Sequence, residues 1–80
     1  MNIIQAAQYV LDNGYTRMTL RKDDHTQVDL PRKKGMYLDA FTSSMIVQVT
    51  DRISEDNKAK LLSLPVLKAV DILWKVSKGA

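Results

Sequence analysis

What most narrows the fold of this chain is a double change in its hydrophobic period. Near the start, Ile3, Ala7, Val10 and Leu11 recur at helical spacing. From Tyr15 the period drops to two: Thr16, Met18 and Leu20 alternate with Arg17, Thr19 and Arg21, and Thr26, Val28 and Leu30 alternate with His25, Gln27 and Asp29. From Leu38 the helical period returns through Phe41, Thr42, Met45, Ile46, Val49 and Ile53. Helical stripe, pleated alternation and helical stripe again imply an α+β fold. We expect a short N-terminal helix, a two-stranded antiparallel β-hairpin, then two to three helices packed on the hairpin's apolar face.

Local signals place the boundaries. Asn2 is a candidate N-cap, and Gly14 in "DNG" suits a left-handed C′ position. In the hairpin, a two-residue loop at Asp23-Asp24 would send the two apolar sets to opposite faces. A three-residue loop of Lys22, Asp23 and Asp24 aligns them, setting Met18 opposite Val28 and Arg17 opposite Asp29, with Asp24 left-handed. Moving that loop one residue along aligns the faces equally well. Pro31 ends the second strand, and residues 32–35, "RKKG", form a basic connection. "MIVQV" at 45–49 is β-branched enough for a strand, but the longer helical period predicts helix. Ser54 caps the next helix, with Glu55 and Asp56 favourable to its dipole, and Pro65 breaks the chain before a last helix, "PVLKAVDILWKVSKG".

That last helix is apolar over an unusually wide arc. Lys68, Asp71, Lys75 and Lys78 fall within a sector of roughly 80°, leaving the rest of the circumference apolar. A helix covered from one side needs a stripe a little over about 100° wide. The excess predicts contact with another chain through Val66, Val70, Ile72, Leu73, Trp74 and Val76. Length supports this: 80 residues make one small domain spanning 1–80, and its zero cysteines supply no disulfide staples. A protein partner, homo-oligomerisation included, is the expected source of added stability.

Few groups are available for chemistry. Asp23, Asp24 and the single histidine, His25, are consecutive and point in different directions, and a hairpin tip favours Asp for turn formation. The nine acids follow no catalytic spacing and the three glycines are isolated, so neither an acid–base pair nor a phosphate loop is recognisable. We expect no catalytic residue, no metal site and no cofactor: the chain is not read as an enzyme. No apolar run approaches the roughly 20 residues of a membrane span, and the N-terminus lacks the cationic lead of a secretion signal, so the expected compartment is the cytoplasm.

Charge offers the competing function. Residues 17–34 hold six of the twelve cations against three acids, while the remainder is balanced. Arg17, Arg21, Arg32, Lys33 and Lys34 define a possible basic surface, and a small nucleic-acid-binding regulator is the alternative expectation. Against it, Asp29 is expected to neutralise Arg17, and Tyr15 and Tyr37 lie at opposite ends of the stretch, leaving no stacking platform among the charges.

Taken whole, the chain resembles the RIII lysis-inhibition proteins of T4-like phages. The opening "MNIIQAAQYVLDNGYT", the following "RMTLRKDDHTQVDLPRKKG" and the length of 80 residues carry the likeness. The resemblance implies a cytoplasmic antiholin that binds the cytosolic part of the phage holin and delays its assembly into membrane lesions. It assigns no role to any individual residue. The expectation is therefore a small non-enzymatic protein-binding regulator whose partner and stoichiometry the residues leave open.

Overall fold

The computed structural model describes residues 1–79. In chain order the elements are α1 (Ile3–Asn13), β1 (Thr16–Leu20), β2 (Val28–Asp29), β3 (Met36–Leu38), α2 (Ala40–Thr50), α3 (Glu55–Leu62) and α4 (Val66–Gly79). The fold is α+β. Residues 45–49 are helical, Ser54 caps α3, and Pro65 stands immediately before α4.

α1 begins as its sequence dictates. The Asn2 side chain accepts from the Gln5 amide at 2.8 Å while Gln5 Oε1 accepts from the Asn2 amide at 3.0 Å, a reciprocal capping box. Its buried face is Ile3, Ala6, Ala7 and Val10, so the expected Leu11 turns to solvent and Ala6 takes its place. α1 packs on α2, and small side chains at full burial (Ala6 and Ala7 on one helix, Ser43 on the other) allow the backbones to approach closely.

The strands depart from a simple hairpin. β1 is the middle strand of a three-stranded antiparallel sheet ordered β2-β1-β3. Thr19 pairs with Asp29 and Leu20 with Val28, which is the register reached by moving the expected loop one residue along. The primary expectation, Met18 opposite Val28 and Arg17 opposite Asp29, is corrected accordingly. Asp24 is not left-handed either; among the described residues none other than glycine has positive φ. Its carboxylate instead accepts from the Thr26 amide at 2.9 Å and from the Thr26 hydroxyl at 2.6 Å, turning the chain without strain.

β3 lies in what the sequence suggested was connection and helix start. Met36, Tyr37 and Leu38 pair with Met18, Arg17 and Thr16, and Asp39 rather than Leu38 begins α2, accepting from the Thr42 amide at 2.7 Å. The link from β2 to β3 must pass across β1. Gly35 makes this possible: its φ is +108°, and a Cβ there would collide with the Met18 carbonyl. The outer edge of β2 is closed by Met1, whose amino group donates to the Val28 carbonyl at 2.9 Å while its carbonyl accepts from the Val28 amide at 2.8 Å.

Met18, Val28 and Leu38 point from the sheet into one core with Ile3, Val10, Ile46, Leu61, Val66, Ala69 and Leu73. The Val66 amide, which has no intrahelical partner at the start of α4, donates to the His25 carbonyl at 2.8 Å and so ties the β1–β2 loop to the helix layer.

Candidate functional site

α2 is the element whose importance the sequence pattern understated. Its eleven residues, AFTSSMIVQVT, contain no charge. Ser43, Ile46 and Thr50 face inward, and the buried Thr50 hydroxyl satisfies itself on the Ile46 carbonyl at 2.7 Å. A second stripe at Phe41, Ser44, Met45, Gln48, Val49 and Arg52 follows the i, i+3, i+4, i+7, i+8 spacing of a packed face. The C-terminal part of α4 lines the space beside it with Trp74, Val76 and Ser77.

The space between them is an open groove of about 430 Å³. Met45, Val49 and Ile53 form one side; Trp74, Val76 and Ser77 form the other. At its mouth Phe41, 74% exposed, stacks on Trp74 with ring centroids 5.7 Å apart and planes at 27°. Val76 is 46% exposed beside them. The lining contains one charge, Arg52, which has no acidic partner among the described residues.

The six apolar α4 residues expected to meet a partner divide accordingly. Val66 and Leu73 are each only 1% exposed and belong to the chain's own core, so the expectation is corrected for these two. Val70 and Ile72 are half-buried against that core, and Trp74 and Val76 line the groove. The residues that complete the groove (Phe41, Met45, Val49 and Ile53) were legible as a helical stripe. How much of the stripe stays open was not, because it depends on where α4 crosses: Met45 is buried in the core, Val49 and Ile53 are half-buried against it, and Phe41 is exposed.

The cations of the hairpin segment also separate in space. Arg21 binds the Asp29 carboxylate at 3.1 Å, and this bond, with the carboxylate's charge, holds the guanidinium above its ordinary pKa. Asp23 and Asp24 add to the field at that end. Hydrogen bonds from Thr26, its hydroxyl first, keep the Asp24 carboxyl below the usual carboxylate range. Arg17 is not neutralised by Asp29. It lies over the Tyr37 ring, 4.5 Å from the centroid, and donates to the Gly35 carbonyl at 2.9 Å. Arg32, Lys33 and Lys34 are exposed and make no ion pair among the described residues. Asp23, Asp24 and His25 do not converge, and no group of three or more metal-ligating side chains gathers among the described residues. No helix among them is long and apolar enough to cross a membrane.

Compared with protein-family models, with curated proteins and with solved structures, the chain matches none.

Proposed function

We propose that this chain is a non-enzymatic regulator that acts by binding another protein, and that the groove between α2 and α4 takes an amphipathic helix of that partner. The observation that carries this is the open groove between the uncharged helix α2 and the end of α4, with the exposed Phe41 stacked on Trp74 beside it. Two neighbouring helices with an apolar furrow between them accept a third by ridge-and-groove packing, burying a stripe that water otherwise covers. The lone Arg52 at the rim favours a partner helix with acidic residues beside its apolar face. The resemblance to lysis-inhibition antiholins makes the cytosolic part of a phage holin the first partner to test, and with it a role in the cytoplasm of an infected bacterium. Self-association through the same groove is the competing occupant.

The test is binding of a soluble holin cytosolic fragment, followed by Trp74 fluorescence, beside sedimentation velocity of the protein alone. Truncating Phe41 to Ala removes a large apolar contact at the mouth, worth roughly 2 kcal/mol or about thirtyfold in affinity. Val76→Lys should weaken the complex comparably while leaving the thermal unfolding of the free domain within a few degrees. A wild-type domain that binds no fragment and sediments as a monomer at high concentration refutes the proposal. Dimerisation abolished by Val76→Lys, without fragment binding, assigns the groove to a second copy instead.

A further inference from the structure

We infer a second, independent site: the solvent face of the sheet at Tyr15, Arg17 and Tyr37, with the 32–34 loop beside it, binds single-stranded nucleic acid. In sequence the two tyrosines are far apart and the charges mixed. Pairing of β1 with β3 sets Arg17 directly opposite Tyr37 and brings Tyr15 alongside, with ring centroids 5.7 Å apart. Tyr15 is 68% exposed and Tyr37 59%, so the pair offers open aromatic surface, not packing for the core. The basic loop is pinned at both ends to this spot. The Thr16 hydroxyl donates to the Pro31 carbonyl at 3.4 Å, and Arg17 donates to the Gly35 carbonyl at 2.9 Å.

The acids of the segment lie at the opposite end of β1, where Asp29 occupies Arg21 and Asp24 is engaged by Thr26. Segregation of sign leaves Arg17, Arg32, Lys33 and Lys34 free of ion pairing among the described residues, next to two exposed rings. Cations that track a phosphate chain beside aromatic rings that stack on bases are the two components of single-strand recognition. A duplex uses only the first, because its bases are already stacked on each other. The exposed rings therefore favour a single strand.

The probe is fluorescein-labelled oligothymidylate of about a dozen nucleotides, titrated by anisotropy beside a duplex of equal length. The expected result is tighter binding of the single strand. About four phosphate contacts give a loss of roughly fiftyfold between about 50 and 200 mM salt. Tyr15→Phe should bind as wild type, and Tyr15→Ala at least about fivefold more weakly. Changing Arg32, Lys33 and Lys34 together to Gln should flatten most of the salt dependence. Both substitution sites are exposed, and circular dichroism confirms that the variants fold. Val76→Lys, in the groove, should leave oligonucleotide binding unchanged, which separates this site from the protein-docking proposal. No binding at about 50 mM salt, equal affinity for the duplex, indifference to Tyr15→Ala, or equal competition by polyaspartate would each overturn the inference.

Discussion

Gly14 and Gly35 provide a paired test of how the sheet is built. Both have positive φ, +93° and +108°, a region that side-chain-bearing residues rarely adopt. They differ in surroundings. A Cβ on Gly14 meets nothing within 4 Å, whereas one on Gly35 meets the Met18 carbonyl and the Thr19 hydroxyl. Gly14→Ala therefore costs only backbone strain, about 1–2 kcal/mol. Gly35→Ala carries the same strain, and the obstacle is backbone of the central strand, which cannot rotate away. Relief requires β3 to draw back from β1. That weakens its pairing opposite Met18 and Arg17 and loosens Leu38, which is buried in the core. Losing even part of that pairing and burial adds about 2 kcal/mol, for a total of about 3–4 kcal/mol. In a domain of this size each kcal/mol moves the melting temperature by about 4–8 °C, so the two variants should melt at least about 8 °C apart. Thermal and urea unfolding followed by far-UV circular dichroism measures the difference directly. If Gly35→Ala is no more destabilised than Gly14→Ala, the close passage of the loop against β1 is wrong.

Ser43 is fully buried with its hydroxyl unpartnered, so Ser43→Ala should raise stability by up to about 1 kcal/mol in urea unfolding with an unchanged m value. Leu73→Ala, in the core, should cost about 2–5 kcal/mol, whereas Val76→Ala, three residues on and exposed, should stay within about 0.5 kcal/mol; equal losses would contradict the inward placement of Leu73. Asp39→Ala removes the α2 cap and should cost about 1 kcal/mol at neutral pH. Because hydrogen bonding to the Thr42 amide holds the Asp39 carboxyl below the usual range, its contribution is present above the unfolded pKa of about 3.9 and is lost as pH falls through the lower folded value. The gap between wild type and Asp39→Ala should therefore narrow in acid-titrated unfolding curves; a gap constant down to the lowest accessible pH would count against the charged cap.

How much of this was written in the chain itself differs element by element, and range along the sequence is the reason. Asn2 before α1, Ser54 before its acidic turn and Pro65 before α4 each act within one helical turn, so a local reading identifies them; the reciprocal bond from Gln5 is added by the structure. The alternation on either side of the β1–β2 loop likewise requires a hairpin, and it restricts the register to faces that match. It could not choose between two registers that both match. The contacts that accompany the observed one are long-range: Met1 on Val28, Val66 on the His25 carbonyl and β3 on β1. β3 has only three residues, too few for a period, and exists because a neighbouring strand offers it hydrogen bonds. The wide apolar arc of α4 was legible, but which part is core and which lines a groove depends on where α2 lies against it. So does the pairing of Phe41 with Trp74, and the sheet alone unites Tyr15 with Tyr37. Composition along one dimension states how much apolar and cationic surface the chain owns. Only packing in three dimensions decides which of it remains exposed to bind something else.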